Sequence, residues 1–318
     1  MTSSILLLLL GLAAVVIGAD FLVDGASSLA RRFGLSEFVI GLTIVGMGTS
    51  APEMVVSFIG AIQGNSDISV GNVVGSNIFN TLLILGITGL LLPMAITPDN
   101  RKKDIPVNIV VTVLFILLGC KFTLFGLGFN GLSRLDGGVL LLLFVFYMWQ
   151  SFASGKADEG EQAEEKQIRP LLAVVMILGG LAGLIVGGDL FVDSATDIAQ
   201  RLGVSDKFIA ITILAGGTSM PELATCVAAA IKKKGQLALG NIIGSNLFNI
   251  LLILGGSALI HPLSFQDISL VDMGVLLVSA LALWTSCLVG KKNTLDRLDG
   301  AFLLLVWAAY MAYLILHL

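Results

Sequence analysis

Two short segments, GTSAPE at residues 48–53 and GTSMPE at residues 217–222, are nearly identical, and each lies inside a long apolar stretch. The repetition extends beyond them. At a constant offset of 169 positions, GNVVGSNIFN at residues 71–80 returns as GNIIGSNLFN at residues 240–249. About 27 of about 62 aligned positions are identical without a gap. The chain therefore contains two related halves, and each half carries one glutamate in apolar surroundings.

The composition indicates a protein that lies within a membrane. Of the 318 residues, 56% are hydrophobic and only 13% are charged. Successive apolar stretches of about 18 to 25 residues are long enough to cross a bilayer as helices. The predicted fold class is an all-α integral membrane protein with ten transmembrane helices. These lie near residues 4–24, 37–62, 69–92, 105–121, 135–153, 170–193, 207–231, 238–260, 268–289 and 298–317.

The distribution of basic residues predicts how the chain is oriented. Alternate loops carry 14 of the 18 Lys and Arg residues, and the positive-inside rule places these loops in the cytoplasm, with both termini outside the cell membrane. We predict a first five-helix repeat at residues 1–153, an acidic cytoplasmic linker at residues 154–169, and a second five-helix repeat at residues 170–318. Because five is odd, the second repeat enters the membrane from the opposite side, so the repeats are inverted, as in many secondary transporters.

The repeated motifs have the chemistry of a cation site. An ionised carboxylate within a membrane costs at least about 2.5 kcal/mol and usually marks a functional site. Glu53 and Glu222 are therefore the predicted acidic ligands. Glycine and proline beside each glutamate predict a broken helix with free carbonyl oxygens, which a membrane tolerates only inside the protein or along a cavity. Hard cations prefer oxygen ligands. The predicted carbonyl ligands are Gly46, Thr49, Ala215 and Thr218. The predicted side-chain ligands include, besides the glutamates, Ser76 with Asn80 and Ser245 with Asn249. Each of these pairs has i, i+4 spacing and therefore lies on one helix face.

Other repeated residues are given structural roles. Asp20 and Asp24 recur as Asp189 and Asp193 near helix ends, where they can cap or pair. Four more asparagines are expected to bond neighbouring backbone, namely Asn72, Asn77, Asn241 and Asn246. The GxxxG spacings of Gly71 with Gly75 and of Gly240 with Gly244 permit close helix contact.

At these motifs the sequence resembles the cation/calcium exchanger superfamily, specifically the prokaryotic sodium/calcium exchangers. The resemblance implies four ion sites around the two glutamates, with calcium held by Glu53, Glu222 and the Thr49 and Thr218 carbonyls. It implies sodium sites that also use Gly46, Ser50 and Ser76 in one half, and Ala215, Ser219 and Ser245 in the other. It further implies that the first and sixth helices slide past a rigid core. Potassium-dependent relatives carry acids where this chain has Asn80 and Asn249, so potassium co-transport is disfavoured.

The expected function is secondary active exchange of sodium for calcium by alternating access, with about three sodium ions per calcium ion. The alternative is a proton/calcium antiporter, or an antiporter of another divalent cation. A calcium channel would not need two complete inverted halves, and a structural scaffold would leave the repeated acids unexplained. The chain has no HExxH motif, and we expect it not to be an enzyme. The expected partners are calcium and sodium ions and the lipid bilayer, without a cofactor, nucleic acid or protein partner.

Overall fold

The computed structural model describes residues 2–126, 129–154, 168–203, 215–265, 269–289 and 294–316, and nearly all of them are helical. The first half contains α1 (Thr2–Phe33), α2 (Glu37–Thr49), α3 (Ala51–Ile62), α4 (Ser66–Leu91), α5 (Ile105–Gly119), α6 (Lys121–Phe125) and α7 (Arg134–Ser154). The second half contains α8 (Pro170–Arg201), α9 (Ala215–Gly217), α10 (Met220–Ile231), α11 (Gly235–Ile260), α12 (Leu270–Val289) and α13 (Arg297–Leu316).

Seven helices of the described residues are long and apolar enough to cross a membrane: α1, α4, α7, α8, α11, α12 and α13. Helices α2 and α3 meet at a 49° bend and together form an eighth candidate. The two remaining predicted spans correspond to shorter helices, α5 with 15 residues and α10 with 12. The start of the predicted span at 207–231 and most of the predicted linker at 154–169 lie outside the described residues.

The two longest helices, α1 and α8, pack against each other through small residues. Each has 32 residues and is therefore about 48 Å long. Gly11 contacts Gly187 and Gly18 contacts Gly180, so the helices run antiparallel with close contacts every seven residues. A Cβ atom on Gly18 would lie 2.8 Å from the carbonyl oxygen of Gly180. Because backbone meets backbone along this seam, we expect α1 and α8 to move as one unit.

The centre of the molecule is formed by α4 and α11. Helix α11 is almost completely buried, and its glycines meet α2: a Cβ on Gly244 would lie 2.1 Å from the Leu42 carbonyl oxygen, and one on Gly240 would lie 2.2 Å from that of Phe38. This confirms the predicted close contact for the second GxxxG pair. For the first pair, the equivalent partner stretch at residues 207–214 lies outside the described residues.

Two very short antiparallel ribbons depart from the predicted all-α fold. Strand β1 (Met94–Ala95) pairs with β4 (Thr294–Leu295), and β2 (Gly131–Leu132) pairs with β3 (Leu263–Ser264). Each ribbon joins a loop of the first half to a loop of the second half. Two-residue strands carry no alternating pattern, so the sequence gives no signal for them.

Candidate cation-binding site

Both signature motifs break their helices at a serine. Ser50 separates α2 from α3 with φ −80° and ψ 9°, and Ser219 precedes α10 with φ −89° and ψ 8°. A proline follows in the first turn of each new helix, where its missing N–H costs no helical hydrogen bond. This geometry confirms the predicted helix breaks. It also places Glu53 and Glu222 in the first turns of α3 and α10.

The two glutamates are fully buried and exchange serine partners between the halves. The Ser50 hydroxyl donates to Glu222 Oε1 at 2.9 Å, and the Ser219 hydroxyl donates to Glu53 Oε1 at 3.1 Å. Each carboxylate thus lies beside the helix break of the opposite half. The serines that the resemblance implicated are therefore in direct contact with the predicted acids.

A second serine comes to each glutamate from its own half. Ser76 of α4 donates to Glu53 Oε1 at 3.3 Å, and Ser245 of α11 donates to Glu222 Oε1 at 3.4 Å. In each glutamate, this hydroxyl and the serine hydroxyl of the opposite half bind the same oxygen, Oε1. We call the contacts of Ser50 with Glu222 and of Ser219 with Glu53 the crossed serine contacts. In each carboxylate, Oε1 consequently accepts two hydrogen bonds, while Oε2 accepts none within the described part of the chain.

The predicted asparagine ligands lie at π-helical segments in the middle of α4 and α11, Phe79–Ile84 and Asn249–Leu254. The Asn80 amide donates to Asn246 Oδ1 at 3.5 Å, and the Asn249 amide donates to Asn77 Oδ1 at 2.9 Å. Their nitrogen atoms are therefore used in contacts between the halves. Their Oδ1 atoms are left as acceptors. Wider helical turns of this kind often occur at functional sites.

At this site, four buried acceptor oxygens thus have no hydrogen-bond partner among the described residues. They are Glu53 Oε2, Glu222 Oε2, Asn80 Oδ1 and Asn249 Oδ1. The residues that carry them are completely shielded from solvent. An unpaired buried acceptor costs about 1–3 kcal/mol, and more when it is charged. Two of the four belong to carboxylates that repel each other electrostatically. Cations bound beside these oxygens would supply the missing partners.

The residues predicted to bind cations through their carbonyl oxygens differ from one another in burial and in hydrogen bonding. The Gly46 carbonyl accepts hydrogen bonds from the Ser50 N–H at 3.1 Å and from the Ser245 hydroxyl at 3.3 Å. Thr49 is fully buried, and Thr218 is partly buried. Ala215 begins α9. These residues lie at the two helix breaks, and their role as cation ligands stays a prediction.

A second pair of asparagines, Asn72 and Asn241, forms hydrogen bonds with residues next to the site. Asn72 donates to the Glu53 carbonyl at 3.2 Å and to the Ser57 hydroxyl at 3.1 Å. Asn241 donates to the Cys226 sulfur at 3.3 Å. The expectation that these asparagines bond only backbone was therefore incomplete. Ser57 and Cys226 were not singled out from the sequence, although they occupy equivalent positions at the offset of 169.

The same asparagines also hold the threonines of the signature motifs. The Thr49 hydroxyl donates to Asn241 Oδ1 at 3.1 Å, and the Thr218 hydroxyl lies 3.5 Å from Asn72 Oδ1. Both bonds join one half to the other. These hydrogen bonds fix the orientation of the two threonine side chains. That the threonine carbonyl oxygens bind an ion stays a prediction.

A cavity of about 430 Å³ leads from the surface to one side of the site. It lies between α3, α8 and the start of α10, and its lining includes Ala51, Pro52, Asp189, Asp193, Thr218 and Pro221. Pro52 and Pro221 each directly precede a site glutamate. The cavity therefore reaches the residues that directly precede both buried acids.

The apolar helices are those of an integral membrane protein. The buried centre between its two related halves is rich in acceptor oxygens, which is typical of a protein that binds cations. The family comparison agrees. The profile of the sodium/calcium exchanger protein family matches residues 3–153 and 172–316. The chain belongs to this family, whose members are transporters and not enzymes.

Similar proteins cover nearly the whole chain. The putative antiporter CaxA of Alkalimonas amylolytica is 41% identical over 313 residues, covering 95% of each sequence. The sodium/calcium exchanger MaX1 of Methanosarcina acetivorans is 34% identical, covering 98% of this chain and 99% of the relative. A structure of the sodium-calcium exchanger NCX_Mj, soaked with Na⁺ and Sr²⁺, aligns with a TM-score of 0.84 at 34% identity and covers 97% of each chain.

The crossed serine contacts lead to a prediction. Replacing Ser50 with alanine removes a donor to Glu222 and a hydroxyl oxygen at the site. Calcium binding should therefore weaken about three- to tenfold, the net value of a typical hydrogen bond. Isothermal titration in detergent measures this affinity. The matched control is Ser279→Ala, because Ser279 is also a buried serine in a membrane helix but donates only to its own helix, at the Leu276 carbonyl. Equal affinities in the two variants would contradict the contact's role.

Proposed function

We propose that this protein exchanges sodium for calcium across the cell membrane by alternating access. The observation that carries the proposal is the group of four buried acceptor oxygens without partners, two of them from carboxylates of opposite halves. Two carboxylates balance the charge of one Ca²⁺, and the surrounding hydroxyl, amide and carbonyl oxygens suit both Ca²⁺ and Na⁺. The proposed ion ligands are Glu53, Glu222, Thr49, Thr218, Ser50, Ser219, Ser76, Ser245, Asn80, Asn249, Gly46 and Ala215.

The proposed architecture has ten spans arranged as two inverted five-helix repeats, at residues 1–153 and 170–318. The acidic linker at 154–169 would be cytoplasmic, and both termini would lie outside the cell membrane, because the basic loops then face the cytoplasm. The structure supports this arrangement through the equivalent helix breaks and the antiparallel pairing of α1 with α8. Ions would bind near the membrane midplane between the repeats.

The proposed motion is a displacement of the α1–α8 pair relative to the central helices. These two helices contact each other through backbone, which favours movement as one body. In the present conformation the cavity beside α8 opens toward the face that carries Asp189 and Asp193. A shift of the pair would close this route and open an equivalent one beside α1.

The driving force favours about three sodium ions per calcium ion. With calcium about 10⁴-fold lower inside and a potential of about −100 mV, export costs about 10 kcal/mol. Each sodium ion entering down a tenfold gradient releases about 3.7 kcal/mol. Two ions supply about 7.3 kcal/mol and three supply about 11 kcal/mol, so three suffice. Exchange at this ratio moves net charge, and exchange that is indifferent to membrane potential would contradict it.

The test is radioactive calcium uptake into liposomes loaded with sodium and diluted into sodium-free buffer. We expect uptake that requires internal sodium and is unaffected by a matched pH gradient. Uptake driven by the pH gradient alone would overturn sodium coupling and indicate a proton/calcium antiporter. Flux faster than about 10⁵ ions per second without dependence on a counter-ion would indicate a channel, since alternating access is limited by motions on microsecond to millisecond or slower timescales.

A further inference from the structure

One lysine links the end of α10 to the middle of α1. Lys232 directly follows α10, and its Nζ lies 2.6 Å from Asp20 Oδ1 and 2.7 Å from Asp24 Oδ1. It also donates to the Asp20 carbonyl at 3.1 Å. We call Lys232, Asp20 and Asp24 the ion-pair cluster. Asp20 and Asp24 were expected to cap or pair near a helix end, and the structure shows that they pair with the opposite half.

The equivalent position in the other half cannot form this cluster. Asp189 and Asp193 on α8 correspond to Asp20 and Asp24 at the offset of 169, but Lys232 corresponds to Gln63, which follows α3. Glutamine carries no charge. On this side, the two aspartates line the 430 Å³ cavity together with residues of α3. Val192 lines this cavity, whereas its counterpart Val23 on the lysine side is completely buried. The packing is therefore closed on the side of the lysine and open on the side of the glutamine.

We propose that Lys232 is a positioning residue of the transport cycle, which holds α1 against α10 and keeps the ion route closed on that face. The proposal rests on the proposed exchange function and adds to it the residue that sets the preferred access state. Because α1 and α8 are joined by backbone contacts, holding α1 also holds α8 in the position that leaves the cavity open.

The charge environment supports a formed cluster. Desolvation alone would favour neutral lysine, but the hydrogen bonds to Asp20 and Asp24 outweigh it and raise the pKa of Lys232 above its ordinary value. The lysine side chain is only 22% exposed, whereas the aspartates are 53% and 37% exposed. The cluster is thus partly open to solvent and has to break in each cycle. Its contribution to the access equilibrium should be about two- to fivefold, as for partly exposed ion pairs.

Access can be measured with two equivalent valines, each substituted in a separate protein. Val192 lines the cavity, whereas its counterpart Val23 on α1 is completely buried. In detergent without transported ions, a water-soluble maleimide should label Val192→Cys and leave Val23→Cys unlabelled. The three native cysteines are buried and provide the background rate. Adding Lys232→Gln should speed labelling of Val23→Cys by about two- to fivefold. It should slow labelling of Val192→Cys by a smaller factor, because the state that exposes Val192 is the more populated one.

Two further variants separate a positioning role from a merely structural one. Lys233→Gln removes the same charge from an exposed neighbour and should change neither labelling rate. Gln63→Lys creates the missing counterpart of the cluster and should shift both rates in the same direction as Lys232→Gln. In a variant that already carries Asp20→Asn and Asp24→Asn, Lys232→Gln should have no additional effect.

Unchanged labelling in both Lys232→Gln and Gln63→Lys would overturn the proposal, as would additive effects of the lysine and aspartate changes. The assay reports access and not ion coupling. A failure of sodium-driven calcium uptake in liposomes would therefore count against the proposed function without deciding the role of Lys232.

Discussion

Glu222→Gln and Glu53→Gln are each expected to abolish measurable calcium binding, with a loss of at least about 100-fold, or about 2.7 kcal/mol. Glutamine has nearly the same shape as glutamate, so packing is preserved while one of the two negative charges that balance Ca²⁺ is removed. The new amide also places a hydrogen-bond donor among oxygens that otherwise have no partner. Titration calorimetry in detergent, followed by calcium uptake in liposomes, measures both consequences.

The two variants should lose similar amounts, because each carboxylate accepts one crossed serine and one serine from its own half. Asp99→Asn is the matched control, since it removes an exposed carboxylate outside the site and should bind calcium normally. Full calcium binding in both glutamine variants would refute the site assignment and favour a structural role for the acids.

Gly244→Ala should strongly destabilise the protein. Its Cβ would lie 2.1 Å from the Leu42 carbonyl oxygen, and this backbone contact cannot relax through a change of side-chain rotamer. Overpacking of this kind costs about 1–3 kcal/mol or more. We expect the thermal transition in detergent to fall by about 5 °C or more, from the usual relation between stability and Tm. Size-exclusion chromatography after heating measures the transition.

The control for this variant is Gly274→Ala. Gly274 lies on an exposed part of α12, where alanine should leave the transition unchanged or raise it, because alanine has the higher helix propensity. Equal transitions for the two variants would show that α2 can move away from α11 without cost. In that case, the close packing of α2 against the central helix would not fix the position of the first helix break.

Features that depend only on residues close together in the sequence could be predicted from the sequence. The apolar stretches indicated membrane helices, and the Gly, Ser and Pro residues around position 50 and position 219 predicted the helix breaks that the structure contains. The duplication selected Glu53 and Glu222 because one buried acid recurs at the same place in both halves. Hydrophobicity, backbone freedom and the missing proline N–H act locally, so their consequences are visible in a single stretch of chain.

Contacts between the halves could not be predicted in this way. Three sets of contacts join residues far apart in the sequence. They are the hydrogen bonds of Ser50 and Ser219 to the glutamates of the opposite half, the amide contacts of Asn80 and Asn249, and the pairing of Lys232 with α1. Two nearly equivalent repeats leave open which half supplies each partner. The sequence by itself determined which stretches are apolar enough to lie in the membrane and which acids recur within them. Only the tertiary structure decided which of them meet, because that depends on how α1, α4, α8 and α11 pack against one another.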